Sequence, residues 1–427
     1  MNIETLSASD ARRILKALGS GSAPAEYARL LLVGQKQWLD TAIQMMTETA
    51  EDRDFEVRFV RARYGGGKTH FLYCMEQEAK ERGWVPSFVL LKRDLVELDR
   101  FSSFVREVAR SISLPSGRAG LAFLIDEAFV AHSGRHGIVA GKTVSLMTIE
   151  QAQRGLVEYC SRNFIAAPFQ PALCAAYRAH LQNDRPQVDR LLEWFGTSDS
   201  PAVIDSRYGP GGESIKLKSI GPNLAEEHLR VIALICEFAG HRGLFIGVDE
   251  LELIGRLPSQ RKANSFQTLR ALVDQNNSRR QPPATCIFLA ATPEMFEDPD
   301  KFPSYKALQD RIESLPSLGG VNSINYRATV VDLDRTQLDK GNLRSLAHTL
   351  LKLHQLAFGQ VPPDIDKSVE VILTQIASGK YVMARPRLLC RCMTDLLNGH
   401  FAGDLSVAIA SRAHELQDKR EKELSGK

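Results

Sequence analysis

Short apolar runs and longer segments of helical spacing follow one another along this chain of 427 residues. Each short run is rich in apolar or β-branched residues, as strands buried on both faces are. In several of the intervening segments, apolar residues recur every three or four positions, which predicts helices. Strands that alternate with helices predict an α/β fold with a parallel sheet. The predicted strands are 55–60, 85–91, 244–248, 286–291 and 328–333.

The predicted helices divide the chain into parts. One group interrupts the strand pattern between the second and third strands, and another follows the last strand. We therefore predict a long helical insertion and a C-terminal helical domain. The predicted helices are 7–18, 35–50, 69–80, 149–159, 172–181, 188–195, 224–238, 341–356, 366–377, 386–397 and 407 onward. The predicted division is 1–99 for N-terminal helices and the first part of the core, 100–240 for the insertion, 241–335 for the rest of the core, and 336–427 for the C-terminal helices.

A glycine-rich loop follows the first predicted strand and precedes a predicted helix. The pattern of a phosphate-binding loop is Gly, four residues, then Gly-Lys-Ser/Thr. Here Ala62 holds the first glycine position, and Gly65, Gly66 and Gly67 lead into Lys68 and Thr69. Glycines allow successive N–H groups to turn around a phosphate, the lysine adds a positive charge, and the threonine hydroxyl suits Mg²⁺. The order of strand, loop and helix favours this interpretation over a chance glycine turn.

Two acidic residues, Asp249 and Glu250, end the third predicted strand. In ATPases an Asp at a strand end holds Mg²⁺ and a neighbouring carboxylate polarises the attacking water. The segment 121–127 ends in a similar pair, Asp126 and Glu127. We prefer Asp249 and Glu250 because a further strand with a terminal hydroxyl follows them, which the other pair lacks.

That further strand ends at Thr292, which can orient the attacking water beside Glu250. A Thr before Pro is also a common way to end a strand. Beyond it, Arg311 can reach the γ-phosphate of a neighbouring subunit, or simply pair with Asp310 or Glu313 at the surface.

Arg385 and Arg387 open a C-terminal predicted helix. From that position a guanidinium can contact a bound nucleotide. The alternative is a pair of solvated arginines at a helix end.

The overall composition limits the possible classes of protein but does not indicate a function. Hydrophobic residues make up 44% and charged residues 25% of the chain, as in an ordinary globular protein. There is no apolar run of about eighteen residues, so no membrane span is expected. The N-terminus lacks a secretory signal, and the seven scattered cysteines lack zinc-site spacing, which indicates a cytoplasmic protein with reduced thiols. The net charge of +3 is too small to indicate nucleic-acid binding by itself.

Together these residues resemble the AAA+ P-loop ATPases, especially the origin-recognition and loader branch. The resemblance implies that Val33 and Gly34 lie near the adenine, that Thr292 is the first sensor, and that Arg385 or Arg387 is the second. The residues expected to bind ATP are Val33, Gly34, Gly65, Gly66, Gly67, Lys68, Thr69, His70, Arg385 and Arg387, with Thr69 and Asp249 for Mg²⁺ and Lys68, Glu250, Thr292 and Arg311 for catalysis.

The chain also resembles the ATP-binding proteins of bacterial BREX phage-defence systems, the BrxC/BrxD family, and is nearest in length to BrxD. The resemblance spans nearly the whole chain and rests on the segments 17–24, 31–34, 64–71, 194–196, 243–250 and 385–387. The continuation of the loop into His70 and Phe71 is more distinctive than the loop itself. Two departures are Ala62 at the first glycine position and the arginines, Arg61 and Arg63, beside it.

The family implies an ATPase that couples hydrolysis to oligomeric assembly on double-stranded DNA with other BREX components. Basic residues that can meet DNA phosphates also suit a solvated surface; they are Lys216, Lys218, Arg279, Arg280, Lys419, Arg420 and Lys422. Two other functions remain open from the sequence. One is a nucleotide-gated interaction switch with little turnover, and the other is a loader or transposition-type ATPase outside phage defence.

Overall fold

The computed structural model describes residues 3–425 apart from 23, 93–96, 140–144, 198–199, 278–280, 313–323, 337, 363–364, 379–384 and 400–403. Arg279 and Arg280 therefore lie outside the described residues, as do the side chains of Lys419, Arg420 and Lys422. No helix within the described ranges combines the length and apolar character needed to cross a membrane.

A parallel sheet forms the centre of the fold. Its five strands are β1 (Phe55–Arg61), β2 (Val85–Leu90), β5 (Leu244–Asp249), β6 (Thr285–Ala291) and β7 (Val330–Asp332). Their order across the sheet is β2-β5-β6-β1-β7, and each adjacent pair is parallel. The predicted α/β fold with a parallel sheet is thus confirmed. The remaining strands, β3 (Ala202–Ile204) and β4 (Ile215–Leu217), form a separate antiparallel pair that the sequence pattern did not predict.

Helices cover the sheet and form a further layer beside it. They are α1 (Ala8–Gly19), α2 (Lys36–Asp52), α3 (Lys68–Glu81), α4 (Phe101–Ser111), α5 (Leu121–Arg135), α6 (Leu146–Arg162), α7 (Phe169–Leu181), α8 (Arg185–Thr197), α9 (Ala225–Phe238), α10 (Ser259–Val273), α11 (Glu294–Glu297), α12 (Lys306–Ile312), α13 (Lys340–Phe358), α14 (Ile365–Ala377), α15 (Arg385–Leu397) and α16 (Leu405–Ser425). Helices α4 to α9 occupy the chain between β2 and β5, where helical patterns were expected.

Alternate residues of β1 enter different cores. Val57 and Phe59 join a large cluster that also contains residues of α4 to α10, whereas Val60 packs with residues of α2 and α3 on the other face. Full burial of such side chains contributes about 1.5–3 kcal/mol each. The helices between β2 and β5 therefore share a continuous core with the sheet.

A third core lies away from the sheet. It joins α1 to the C-terminal helices α13, α14, α15 and α16. The Ser7 hydroxyl oxygen accepts a hydrogen bond from the Asp10 amide, and the Asp10 carboxylate accepts one from the Ser7 amide. This capping box fixes where α1 begins. Val33 packs against the same cluster. The N-terminal helix therefore packs with the C-terminal helices, and the division of the chain into domains stays a prediction.

Candidate functional site

Three predicted site segments leave the same edge of the sheet. The glycine-rich loop follows β1, Asp249 ends β5, and Thr292 follows β6, which lies between those two strands. Because the carboxyl ends of parallel strands meet at one edge, ligands commonly bind there. The topology therefore brings the loop, the acidic residues and the hydroxyl together.

The three glycines of the loop serve two different purposes. Gly65 and Gly67 have φ angles of 73° and 93°, in the region that favours glycine. Gly66 does not have a positive φ. A Cβ atom at Gly66 would instead lie 2.8 Å from the carbonyl oxygen of Arg63. Gly66 is needed for space.

The helix that follows presents its first N–H groups to the loop. Gly67 is the N-cap of α3, and no side chain caps this end. Uncapped N–H groups and the helix dipole together favour an anion. This arrangement fits the phosphates of a nucleotide.

Lys68 is held beside the loop by its own chain. Its Nζ donates to the carbonyl oxygen of Ala62 at 3.2 Å and lies 3.8 Å from Oε1 of Glu252. Ala62 is fully buried among apolar side chains, which explains how a methyl group is accommodated at the first glycine position. We did not predict from the sequence that Glu252 belongs to this site. The sequence feature that could have indicated it is its position two residues after Glu250.

The hydroxyl of Thr69 donates to Oδ2 of Asp249 at 2.5 Å, and Asp249 is only 2% exposed. A threonine hydroxyl and a carboxylate at one point are oxygen ligands of the kind that Mg²⁺ takes together with phosphates. The rival carboxylate, Asp126, lies on α5, within a helix instead of at a strand end, and accepts from Arg185 at 3.2 Å.

Glu250 stands at a sharp turn of the backbone. Its φ and ψ are 63° and 36°, which is rare for a residue with a side chain and costs on the order of 1–3 kcal/mol. Its amide donates to Oδ1 of Asp249 at 3.0 Å. Strain of this kind concentrates at functional sites.

Burial raises the pKa of the Glu252 carboxyl, and the positive charge of Lys68 opposes that rise. The Glu252 side chain is 13% exposed, and its Oε2 atom has no hydrogen-bond partner among the described residues. A largely buried carboxylate thus lies beside the Lys68 ammonium.

Thr292 is buried directly after β6 and donates to Oε2 of Glu294 at 3.0 Å. Its strand neighbours β5, so its position agrees with the order expected for a sensor residue. That role stays a prediction.

The C-terminal helices reach the loop through Arg387. Its guanidinium lies 5.1 Å from the ring centre of Tyr64, the residue before Gly65. Arg385 instead donates to the carbonyl oxygen of Leu338 at 3.1 Å. A Cβ atom at Gly34 would lie 2.4 Å from Cδ2 of Leu338. The segment at 33–34 and the C-terminal helices therefore meet beside the loop.

Arg311 lies on α12, where it donates to Asp274 and to the carbonyl oxygen of Ala307. Asp274, which follows α10, is not one of the partners expected from the sequence, and Glu313 lies outside the described residues. Neither of these two partners belongs to the glycine-rich loop. Its action on a neighbouring subunit stays a prediction.

His70 lies one residue beyond Thr69 on α3. Its Nε2 lies 2.7 Å from the carbonyl oxygen of Ala28, and burial lowers the pKa of the ring. Nε2 is the donor in this hydrogen bond, and it is burial that favours the neutral form of the ring. His70 thus ties the segment at 25–31 to α3, and its contact with nucleotide stays a prediction.

The arginines beside the loop are paired. Arg61 binds Glu297 and lies 3.8 Å from Asp332, and the Arg63 side chain lies 3.5 Å from Asp334. Asp334 also accepts from the Arg63 amide at 2.8 Å. These pairs account for the unexpected charge at this point.

The family model for the BREX system ATP-binding protein BrxC/D matches residues 6–400. The chain belongs to this BrxC/D family. Neither the curated proteins nor the solved structures include a match to it. The resemblance predicted from the sequence is confirmed at the level of this family, which indicates an ATP-binding role in BREX phage defence. The loop, the uncapped helix and the oxygen pair of Thr69 and Asp249 fit the ATP that the BrxC/D family name implies.

Proposed function

We propose that this BrxC/D protein hydrolyses ATP with Mg²⁺ at the sheet edge. The observation that carries the proposal is the 2.5 Å contact between the Thr69 hydroxyl and the Asp249 carboxylate, directly after the glycine-rich loop. Glu250 follows Asp249, and a site used only for binding has no need of a carboxylate there. Bound Mg²⁺ neutralises charge on the phosphate oxygens.

The residues have separate parts in the proposed reaction. The N–H groups of Gly65 to Thr69 and the Lys68 ammonium hold the phosphates, and Thr69 with Asp249 holds Mg²⁺. Glu250 orients and deprotonates the attacking water, with Thr292 beside it at the end of the neighbouring strand. Arg387 links the nucleotide-bound loop to the C-terminal helices through its contact with Tyr64.

We further propose that turnover is coupled to oligomeric assembly on double-stranded DNA with other BREX components, in the cytoplasm. Family membership supports the BREX partners. In such an assembly Arg311 leaves Asp274 and reaches the nucleotide of a neighbouring subunit.

The test is ATP hydrolysis with and without duplex DNA for wild type, Lys68→Ala and Glu250→Gln. We expect wild type to turn over ATP, Lys68→Ala to lose binding, and Glu250→Gln to bind ATP with turnover reduced by at least about a hundredfold. If wild type binds ATP but hydrolyses it no faster than Glu250→Gln, the protein is a nucleotide-gated switch. A further variant, Asp249→Asn, removes the carboxylate that contacts Thr69. Asp126→Asn is its matched control, since the Asp126 carboxylate accepts from Arg185 instead.

A further inference from the structure

An open cavity of about 350 Å³ lies among the helices of the third core, where α1, α13, α15 and α16 meet. Four basic side chains line it, and Asp395 is the acidic residue among the lining residues. The basic residues are Arg12, Lys16, Arg391 and Arg412. Such a concentration of positive charge in a concave site attracts anions.

Two of these cations are held in place by a buried carboxylate. The Asp395 side chain is 6% exposed and lies 2.7 Å from Nε of Arg412 and 3.5 Å from Nε of Arg391. Glu415 pairs with the same two arginines from outside the cavity lining. The arginines are therefore fixed before any ligand arrives, which lowers the entropy cost of binding.

The other two basic side chains of the lining are Arg12 and Lys16. Neither Arg12 nor Lys16 has a carboxylate partner among the described residues, although Arg12 donates to the carbonyl oxygen of Ala357 at 3.1 Å. Among the residues that the structure describes, two carboxylates stand against four cations, and the excess of positive charge lies at the α1 side of the cavity.

An aromatic ring completes the lining. Phe358 follows Ala357 at the end of α13 and is 51% exposed. An aromatic face next to cations is the combination that holds a base by stacking and its phosphate by charge. The volume lies at the lower end of the roughly 300–1,000 Å³ of small-molecule sites, which suits one nucleotide unit.

We infer that this cavity binds a nucleoside phosphate unit, either as a free nucleotide or within single-stranded nucleic acid. The phosphate lies at Lys16 and Arg12, and the base stacks on Phe358. This site is separate from the glycine-rich loop and does not depend on ATP hydrolysis there.

The test uses the full chain with Lys68→Ala, which removes binding at the loop. Fluorescently labelled tetrathymidylate is titrated by anisotropy, with thymidine 5′-monophosphate and inorganic phosphate as competitors. We expect Lys16→Glu to weaken oligonucleotide binding at least about tenfold, and Phe358→Ala to weaken it about tenfold, the usual effect of losing one stacked base. Lys352→Glu, an exposed residue of α13 outside the cavity lining, is the charge control and should change binding less than about twofold.

The competitors separate the sources of the ligand. Displacement by the mononucleotide at concentrations like those of the oligonucleotide indicates a free nucleotide, and much weaker displacement indicates a single strand. Equal weakening by Lys16→Glu and Lys352→Glu overturns the inference. So does competition by inorganic phosphate as strong as by the mononucleotide with no effect of Phe358→Ala, since that describes an anion site alone. Unchanged thermal unfolding midpoints of both Lys16→Glu and Phe358→Ala exclude misfolding.

Discussion

The guanidinium of Arg387 lies 5.1 Å from the ring centre of Tyr64, so a C-terminal helix contacts the residue that begins the turn of the glycine-rich loop. This is within the range of a cation–π interaction. The Nε atom of Arg387 is buried and has no hydrogen-bond partner among the described residues. The contact joins α15 to the glycine-rich loop.

Replacing Arg387 should weaken ATP binding more than replacing Arg385. Arg387→Ala removes the contact with Tyr64, and Arg387→Lys removes the planar group that stacks on the ring. We expect each to weaken ATP binding about fivefold, or ~1 kcal/mol, as measured by titration calorimetry. Arg385→Ala is the control, because the Arg385 side chain donates a hydrogen bond to the carbonyl oxygen of Leu338. An effect of Arg385→Ala alone would assign the sensor to that residue instead.

Thr69→Val should reduce the dependence of ATP binding on Mg²⁺. Valine keeps the shape of threonine but cannot donate to Asp249 or offer an oxygen to the metal. We expect chelation of Mg²⁺ to weaken ATP binding about tenfold or more in wild type and much less in Thr69→Val, because the variant lacks one oxygen ligand for the metal. Thr69→Ser, which keeps the hydroxyl, should behave as wild type. The same metal dependence in Thr69→Val and wild type would remove Thr69 from the metal site.

Glu252→Gln should tighten ATP binding. Its carboxylate lies 3.8 Å from the Lys68 ammonium and competes with the phosphates for that charge. We expect the neutral amide to raise ATP affinity about tenfold, or ~1.4 kcal/mol. Glu294→Gln is the control, since that carboxylate lies at the same sheet edge but accepts from Thr292. Weaker binding in Glu252→Gln would mean that Glu252 positions Lys68 for the phosphate.

The sequence was sufficient for features that depend on local order. Apolar runs predicted all five strands of the central sheet, with the largest difference at β7, observed as Val330–Asp332 instead of 328–333. The loop and the choice of Asp249 over Asp126 depended on strand, loop and helix following in order, and the contact of Thr69 with Asp249 agrees with that choice.

Features that depend on contacts between distant segments were beyond the sequence pattern. The pairing of Glu252 with Lys68 and of Arg311 with Asp274 joins residues whose spacing carries no signal. The apolar run that ends at Asp126 and Glu127 has the composition of a buried strand but forms α5, because short apolar runs alone do not separate strand from buried helix. The reason for Gly66 is likewise steric and needed three-dimensional positions.

The stability of wild type should fall more steeply below pH 6.5 than that of His70→Gln. Burial lowers the pKa of His70 from its ordinary 6.5, so in the window just below 6.5 the unfolded ring binds a proton that the folded ring does not. The free energy of unfolding therefore rises with pH across this window, with a slope of at most about 1.4 kcal/mol per pH unit. The stabilisation that comes from the neutral His70 ring is complete above pH 6.5 and is lost as the pH falls toward the pKa of the folded state. Chemical denaturation of both proteins between pH 5.5 and 7.5 measures the difference, and the other histidines cancel because both proteins contain them. Parallel stability curves would show that burial does not hold His70 neutral in the folded protein.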